Sequence, residues 1–482
     1  MPELLLKGKT NEGLISRIRK SAFGKAVAQF LYSPYYISAI ALCVFLCYAL
    51  SLDALSYGIL ALACIATFLL CDEATPIIVP VLFSPFVPSM SWYRNGQTYD
   101  PLSICMFCIY GAGLIAAIIY HMCIRGGFKR LRYGGRLGAA TVALGLGLLV
   151  SGFFSSGYKA DSLLHAFVQI APLCILFFFL RSVIKRNKNT ITYLAVAVAA
   201  AGAVICADLA LTYLFNKPLI DGGFTDKGEI ITGWGISNNV GAAILQTVPL
   251  VFYLACNEEK HPWFYLLFAV CMEICIVFTY SRAALLFSAP VGAACVIAAC
   301  IKAKNRRQIW ITAGAVCAAA LLAFVLLHEK ILGMLEFYLQ NGFNDRGRFE
   351  IWELGFDLFA DNPIFGVGQH FIDHTGGNTH SYFFHNTPIQ FLAAGGLVGI
   401  LTYAFYRVET VRLMLRKLTL ARFFLGLTAA AIVLTALLDT GFMRFFSQVF
   451  TVTALLFAEH DLDYADWFYS CPPLGVKPLY ER

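Results

Sequence analysis

Charged residues are scarce in this sequence: they make up 13% of its 482 residues, against about 25% in a typical soluble domain. Long polar stretches are scarce as well, because 59% of the residues are hydrophobic. Apolar runs of about 17–25 residues, the length that a helix needs to cross the hydrocarbon, recur along nearly the whole chain. The composition therefore excludes a soluble protein and predicts an all-α, polytopic integral membrane protein.

Two other absences narrow the class. Residues 1–34 contain no apolar core and no small-residue cleavage site, so we expect a basic cytoplasmic leader and not a signal peptide. The sixteen cysteines lie mostly inside apolar runs and none lies in residues 329–385, so no disulfide framework is indicated. Cys105 and Cys108 have a redox or metal spacing, but their apolar surroundings favour a packing role.

The apolar runs predict about 12–14 transmembrane helices. The third run is rich in proline and could be a broken or re-entrant helix. The predicted spans lie near 36–53, 55–71, 75–90, 101–121, 137–156, 163–180, 191–214, 240–256, 263–280, 284–301, 309–328, 386–406, 420–438 and 446–459. Residues 35–459 then form one transmembrane bundle, followed by a short tail at 460–482.

The distribution of positive charge predicts the orientation. Alternate connections between the predicted spans hold 27 of the 36 Lys and Arg residues. By the positive-inside rule, both termini are cytoplasmic in a multi-pass protein of the inner membrane, provided that the third span crosses. This topology accounts for the net charge of +7, so nucleic acid is not an expected partner.

The long outer loop at 329–385 contains a segment of its own with helical periodicity. It begins at Arg348 and ends at Asp361-Asn362-Pro363. Its aromatic residues fall on one predicted stripe: Phe349, Trp352, Phe356 and Phe359. The segment is either an amphipathic lid over an active site, with its apolar face on lipid or substrate, or a surface helix that covers the bundle.

Several cations are candidates for binding an anion at the outer surface. Arg282 lies between two spans with almost no loop, where it either holds a diphosphate through paired hydrogen bonds or contacts lipid head groups. Arg346 and Arg348 alternate on the loop, so at most one need face a site, and we favour Arg348. Lys217 and Lys227, in the outer connection 215–239, are further candidates.

Two acidic residues within predicted spans could serve these cations. Asp208 and Glu273 lie within predicted spans near their outer ends, as counterions for site arginines or as neutral structural groups. Asp439 lies near Arg444 in the last outer turn, where the two could simply pair.

The histidines support two interpretations. His370 and His374 are one helical turn apart, a spacing that zinc sites use, but no His-Glu-x-x-His motif occurs and glycines follow, so we expect no metal. His385 stands beside Asn386 at the entry to a span. A neutral imidazole there could take a proton from an attacking hydroxyl, or the residue could simply cap the helix. Gly395, Gly396 and Gly399 follow and indicate close helix packing.

These residues together resemble the O-antigen ligase and polymerase superfamily. The matching elements are Ser281-Arg282 after a span; Arg348-x-x-x-Trp352 and then Asn362-Pro363-Ile364-Phe365-Gly366-Val367-Gly368; His385-Asn386, nine residues, Gly396-x-x-Gly399; and, more weakly, Asn238-Asn239. The likeness covers roughly 230–460.

The resemblance implies a metal-independent glycosyltransferase without a cofactor. A sugar hydroxyl of a glycan or glycolipid acceptor would attack the donor's anomeric carbon at the outer membrane face, and polyprenyl diphosphate would leave. We assign catalytic roles to His385 and Arg282. The diphosphate contacts would be Arg282, Arg348 and Lys227; the supporting residues would be Asn386, Trp352, Glu273 and Asp208.

The sequence leaves the type of reaction open. Family ligases carry an arginine in the connection that corresponds to 215–239, whereas this chain has only lysines there, which leaves room for a polymerase. The main alternative is a transporter or flippase of lipid-linked glycan, and a structural or sensor protein is a third reading. In each reading, membrane lipid surrounds the chain.

Overall fold

In the computed structural model, the described residues are 14–71, 73–86, 101–124, 135–156, 160–184, 189–215, 227–342, 347–369, 372–373, 380–381, 384–439 and 441–461. They form seventeen α-helices. The helices are α1 (Leu14–Lys20), α2 (Ala22–Leu31), α3 (Pro34–Ala49), α4 (Asp53–Leu70), α5 (Ile78–Phe83), α6 (Pro101–Ile124), α7 (Gly135–Phe154), α8 (Ala160–Val183), α9 (Asn189–Phe215), α10 (Ser237–Asn257), α11 (Pro262–Phe278), α12 (Arg282–Lys302), α13 (Arg306–Gly342), α14 (Arg348–Asp361), α15 (Thr387–Leu415), α16 (Leu420–Ala436) and α17 (Phe445–His460).

Short elements occupy some of the connections. Single 3₁₀ turns cover Thr75–Ile77, Lys227–Glu229 and Gly441–Met443. Two antiparallel hairpins pair β1 (Ile231–Thr232) with β2 (Gly235–Ile236), and β3 (Ile372–Asp373) with β4 (His380–Ser381).

The all-α, polytopic prediction is confirmed. Among the described residues, nine helices are long and apolar enough to cross a membrane, and α2 with α3 forms a tenth candidate that bends by 72°. Three shorter apolar helices, α11, α16 and α17, complete the bundle. Two features differ from the sequence prediction: helix already begins inside the basic leader, and α15 continues nine residues beyond the predicted span end at 406. In α13 the backbone breaks at Leu327 (φ −119°, ψ 16°), one residue before the predicted span end at 328, and a second helical segment follows to Gly342.

The proline-rich third span is a broken helix that connects the two ends of the bundle. At one end, the Ala74 backbone N–H donates to the carbonyl of Val183, the last residue of α8. At the other, the Phe86 ring lies 5.0 Å from the Tyr48 ring and 5.3 Å from the Trp234 ring. Only the six residues of α5 are α-helical between these contacts, because prolines interrupt the backbone hydrogen bonds.

Helix α10 is the buried centre of the bundle. It packs against α9, α11, α12 and α16, and nearly all of its residues are buried. Its small N-terminal residues allow this: a Cβ on Gly241 would lie 2.8 Å from the side chains of Ser281 and Thr279. The start of α10 is therefore held directly against the start of α12.

Helix α15 breaks at Gly396, which has φ 59° and ψ −154°. The segment that follows α14 fills the break: Val367 N–H donates to Ala393 O at 3.0 Å, and Leu397 N–H donates to Pro363 O at 2.8 Å. A Cβ on Gly396 would lie 2.5 Å from the Ile364 backbone, so only glycine fits. The sequence interpretation of Gly396 as a packing residue alone was too narrow, because Gly396 is also the point at which the helix breaks and changes direction.

Helix α14, the lid helix, packs on the first half of α15. Ile351, Trp352 and Leu358 contact a cluster of three residues: Phe384, Ile389 and Ala393. Phe349 and Phe356 are 64% and 53% exposed. The predicted aromatic stripe therefore divides, with its Trp352 edge on the protein and its Phe349 edge facing outward.

Helices α16 and α17 are shorter than their neighbours. With 17 and 16 residues they extend about 25 Å, less than the roughly 30 Å of a hydrocarbon core. Their far ends are fixed by contacts at the opposite end of the bundle, where Glu459 pairs with Arg181 at 3.5 Å. The turn 437–444 joins the other ends of these two helices.

Candidate active site

A small pocket, with a cavity volume of about 20 Å³, lies against the turn 437–444. Four helix starts and one helix end surround it. Its lining comprises Asn238, Asn239 and Ala242 from α10; Ser281, Arg282 and Ala283 from α12; Arg348 from α14; Thr435, Leu438, Asp439 and Gly441 from α16 and the turn; and Arg444 and Phe446 around the start of α17.

The electrostatics of the pocket favour an anion. Arg282, Arg348 and Arg444 come from three different helix starts and line one cavity. The N-terminus of a helix carries a partial positive charge, and helices α10, α12, α14 and α17 all begin here. Asp439 is the one acidic residue in the described lining, so positive charge is in excess.

The local fold fixes Arg282 at the pocket wall. Tyr280 adopts φ +52°, which turns the chain sharply between α11 and α12. Ser281 then caps α12, its hydroxyl accepting from the Ala284 N–H at 3.4 Å, and Ser281 is 1% exposed. Arg282 follows as the first residue of the helix. The sequence prediction that this arginine sits at a helix start without a loop is therefore seen in the structure.

Arg348 reaches the same pocket from the lid helix. Gly347 precedes it with φ +77°, a left-handed conformation that suits glycine. The lid is anchored at Trp352, whose indole Nε1 donates to the Phe384 carbonyl at 2.8 Å. This bond places the start of the lid beside the segment that carries His385.

His385 is joined to the pocket through Asp439. Its Nδ1 lies 3.4 Å from Asp439 Oδ1, and the two side chains are 40% and 12% exposed. His385 has φ +48°, a conformation that costs about 1–2 kcal/mol in a residue other than glycine. Such local strain often marks a functional site. His385 is not among the residues that line the pocket, but it contacts Asp439, which is.

The residues after His385 hold it in place. The Asn386 side chain accepts from the Ile389 N–H at 3.0 Å, which caps α15, and donates to the Leu437 carbonyl at 2.9 Å. The Thr387 hydroxyl donates to the backbone carbonyl of Asp439 at 3.3 Å. The start of α15 and the turn 437–444 are thus joined at three points.

Arg444 pairs with Asp439, as considered from the sequence, and it also lines the pocket. Its Nη2 lies 3.9 Å from Asp439 Oδ1, the oxygen that also faces His385. Its Nε is buried and has no hydrogen-bond partner among the described residues. One carboxylate is therefore shared between an imidazole and a guanidinium that lines the pocket. The sequence signal was present in the five-residue spacing of Asp439 and Arg444, but the link to His385 is visible only in three dimensions.

Two predicted acids lie elsewhere. Asp208, 0% exposed, accepts from the Gly233 N–H at 2.8 Å and holds the β1–β2 hairpin that leads into α10. Glu273 faces α12 at Gly292, where an added Cβ would lie 3.0 Å from its Oε1. Neither residue lines the pocket. Their predicted role as direct counterions of the site arginines is not supported by this placement.

The remaining candidates fall partly or wholly outside the described residues. Lys227 opens a 3₁₀ turn, but its side chain is outside them. Lys217, Arg346, His370 and His374 are outside them altogether. Within the described part of the chain, no group of three or more His, Cys, Asp or Glu residues is arranged to hold a metal ion.

Comparison with known proteins gives one informative result. No curated protein matches the chain. Residues 267–404 match the family model described as O-Antigen ligase. This stretch runs from α11 to the second half of α15 and contains Arg282, Arg348 and His385; Asp439 and Arg444 lie beyond it. The match confirms the resemblance read from the sequence: residues 267–404 of this membrane protein are similar to the O-antigen ligase domain of the O-antigen ligase and polymerase superfamily.

Proposed function

We propose that this protein transfers or polymerises glycan from a polyprenyl-diphosphate-linked donor onto an acceptor sugar hydroxyl at the outer face of the cytoplasmic membrane. One observation carries the proposal: Arg282, Arg348 and Arg444 line a single pocket whose only described acid, Asp439, also contacts His385. The family match supports glycan transfer of the O-antigen ligase type in general. The donor, the acceptor and the membrane face are the parts that we add.

The donor diphosphate would bind among the three arginines. Guanidinium groups form paired hydrogen bonds with phosphate oxygens, and helix N-termini add backbone dipoles of the same sign. The pocket lies at the ends of apolar helices, so the polyprenyl chain of a donor bound there could stay in lipid. Lys227 remains a predicted further contact, from the connection that leads to α10.

The proposed reaction is one displacement at carbon. The acceptor oxygen forms a bond to the anomeric carbon as the bond from that carbon to the diphosphate oxygen breaks. The leaving diphosphate keeps the bonding electrons, and the arginines stabilise its added charge. His385 receives the hydroxyl proton at Nε2, because a proton on Nδ1 directed at Asp439 leaves Nε2 free as a base. No metal is required for this step.

The charge distribution supports the outer placement. The opposite end of the bundle carries basic residues, including Arg136, Arg181 and Arg412, and connections on that side hold most of the Lys and Arg residues. By the positive-inside rule that end is cytoplasmic, and the pocket then faces outward. Lipid-linked glycans that have reached the outer leaflet could enter it.

A reconstituted assay separates this function from export of lipid-linked glycan. Purified full-length protein in liposomes receives donor and acceptor that are both on the side of the pocket. Joined product means a glycosyltransferase. A protein that only moves the donor between leaflets, and never joins it to acceptor, would instead be the transporter.

A further inference from the structure

A fourth arginine, Arg407, lies one residue beyond the span end predicted from the sequence, but inside the longer candidate span Thr387–Leu415 that α15 forms. The guanidinium carbon of Arg407 is 4.2 Å from the ring centre of Phe442, 4.8 Å from that of Tyr403 and 5.7 Å from that of Tyr406. Its Nε and Nη2 atoms are buried and have no hydrogen-bond partner among the described residues. Three aromatic faces thus take the place of the usual polar partners.

The charge of Arg407 is not balanced by a nearby acid in the described part of the chain. Glu409, the acid nearest in sequence, pairs with other arginines, because its Oε1 lies 3.5 Å from Arg136 and 3.0 Å from Arg412. An arginine within a span is costly in the membrane interior. Cation–π contacts with three rings offset part of that cost. The burial of the Arg407 charge without a nearby acid therefore suggests that this residue has a function.

The ring cluster connects Arg407 to the pocket. Phe442 is 0% exposed and lies in the 3₁₀ turn Gly441–Met443, between the two pocket residues Asp439 and Arg444. The ring therefore belongs to the short turn that carries both the partner of His385 and a pocket cation.

The same cluster joins both halves of the broken helix. Phe391, from the half before Gly396, stacks on Tyr403 at 4.5 Å and lies 6.4 Å from Phe442. Tyr403 in turn lies 5.8 Å from Phe442. The guanidinium therefore sits where the two parts of α15 and the turn 437–444 meet.

We propose that Arg407 is a positioning residue for binding of the donor diphosphate. Its guanidinium holds the Phe442 ring, and Phe442 holds the turn so that Asp439 and Arg444 face the pocket. The inference rests on the proposed function, because it assumes that the pocket takes a diphosphate.

Binding of inorganic diphosphate tests this role. Isothermal titration is performed on full-length protein in lipid nanodiscs, and thermal unfolding is followed in parallel. Arg407→Met removes the charge, and Phe442→Leu removes the ring. Each should weaken the affinity of the folded protein by about tenfold. Both substitutions break the same contact between Arg407 and Phe442. The affinity of the double variant for diphosphate should therefore be at most about twofold lower than that of the weaker-binding single variant.

Two further variants complete the test. Arg407→Lys keeps a cation near the rings and should bind within about threefold of the wild type. Arg412→Met removes an arginine of the same helix that faces the opposite end, and it should bind as the wild type does. If Arg407→Met does not fold, Phe442→Leu still tests for the tenfold loss, and Arg407→Lys still tests whether a cation at this position restores binding.

The outcomes separate the two levels of the argument. Unchanged affinity in Arg407→Met or Phe442→Leu, even with a lower melting temperature, overturns the positioning role and leaves the proposed function intact. Fully additive losses in the double variant overturn the link through Phe442. If the wild type itself does not bind diphosphate, or if Arg282→Ala binds it equally well, the diphosphate pocket is wrong and this inference falls with it.

Discussion

Replacing Asp439 by Asn should separate the chemistry of His385 from the fold around it. In our proposal, the Asp439 carboxylate accepts a hydrogen bond from the Nδ1–H of His385, and the two atoms lie 3.4 Å apart. An asparagine amide can instead donate to Nδ1, which would leave the proton on Nε2, where it blocks the base. The Thr387 hydroxyl bonds the backbone carbonyl of residue 439, so the exchange leaves that contact intact.

The expected size of the effect follows from the geometry. The same exchange in a serine protease triad lowers the rate by about 10⁴. Here the distance exceeds the roughly 2.8 Å of a tight charge-assisted bond, and His385 is 40% exposed, so water competes. We therefore expect a loss of about 10²–10³ in kcat, within the range for general base catalysis.

The assay is glycan transfer by full-length protein in liposomes at saturating donor and acceptor. Asp461→Asn is the matched control, because Asp461 lies 3.7 Å from Arg422 at the opposite end of the bundle and should have no effect on turnover. A folded Asp439→Asn protein with kcat within about threefold of the wild type would show that Asp439 does not orient a catalytic base.

Three further predictions concern the pocket and its supports. Arg282→Ala should lower the rate of glycan transfer by about 10²–10³ with the melting temperature unchanged, because it removes one fixed cation from the pocket. Arg307→Ala is the control, because Arg307 is exposed at the opposite end of the bundle and should not affect the rate. Equal rates for the two variants would contradict the role of Arg282 in binding the diphosphate. Gly396→Ala should lower the free energy of unfolding by more than about 1 kcal/mol, because the added Cβ would clash with the Ile364 backbone. Gly314→Ala is the control in the same thermal unfolding measurement. Gly314 lies on an open helix face, so this substitution should be neutral or stabilising. Trp352→Phe removes the N–H that anchors the lid helix, so it should lower the free energy of unfolding by about 1 kcal/mol and raise KM for the donor. An unchanged KM would mean that the position of the lid helix does not affect donor binding in the pocket.

The fold class could be predicted from composition and hydropathy, because twenty-residue apolar runs have few alternatives to a spanning helix. The exact helix ends could not. The predicted span end at 328 lies next to the backbone break at Leu327, yet a second helical segment continues to Gly342 because its residues keep good helical propensity beyond the apolar run. Hydropathy measures where lipid contact ends, and a helix need not end there.

The candidate site was predictable in part. Arg282, Arg348 and His385 could be chosen because each stands at the polar end of an apolar segment, and the structure brings all three to one region. The contribution of Arg444 and the aromatic support under it depend on contacts between segments distant in sequence. Periodicity within one helix carries no information about such contacts.

Gly396 shows the same limit at one residue. Its neighbours read as a continuous apolar span, so small-residue packing was the natural interpretation. The break becomes apparent only when the segment 363–368 is seen to occupy it with backbone hydrogen bonds. A helix interrupted inside a membrane needs such partners for its exposed backbone groups.

The most direct test of the central claim is an electrophoretic profile of lipid-linked and surface glycans from host cells that express His385→Ala, with expression of the variant confirmed. The account predicts a block in transfer: long lipid-linked chains that never reach their acceptor if the protein is a ligase, or single unpolymerised repeat units if it is a polymerase. A profile identical to that of the wild type would remove His385 from the reaction and contradict the account.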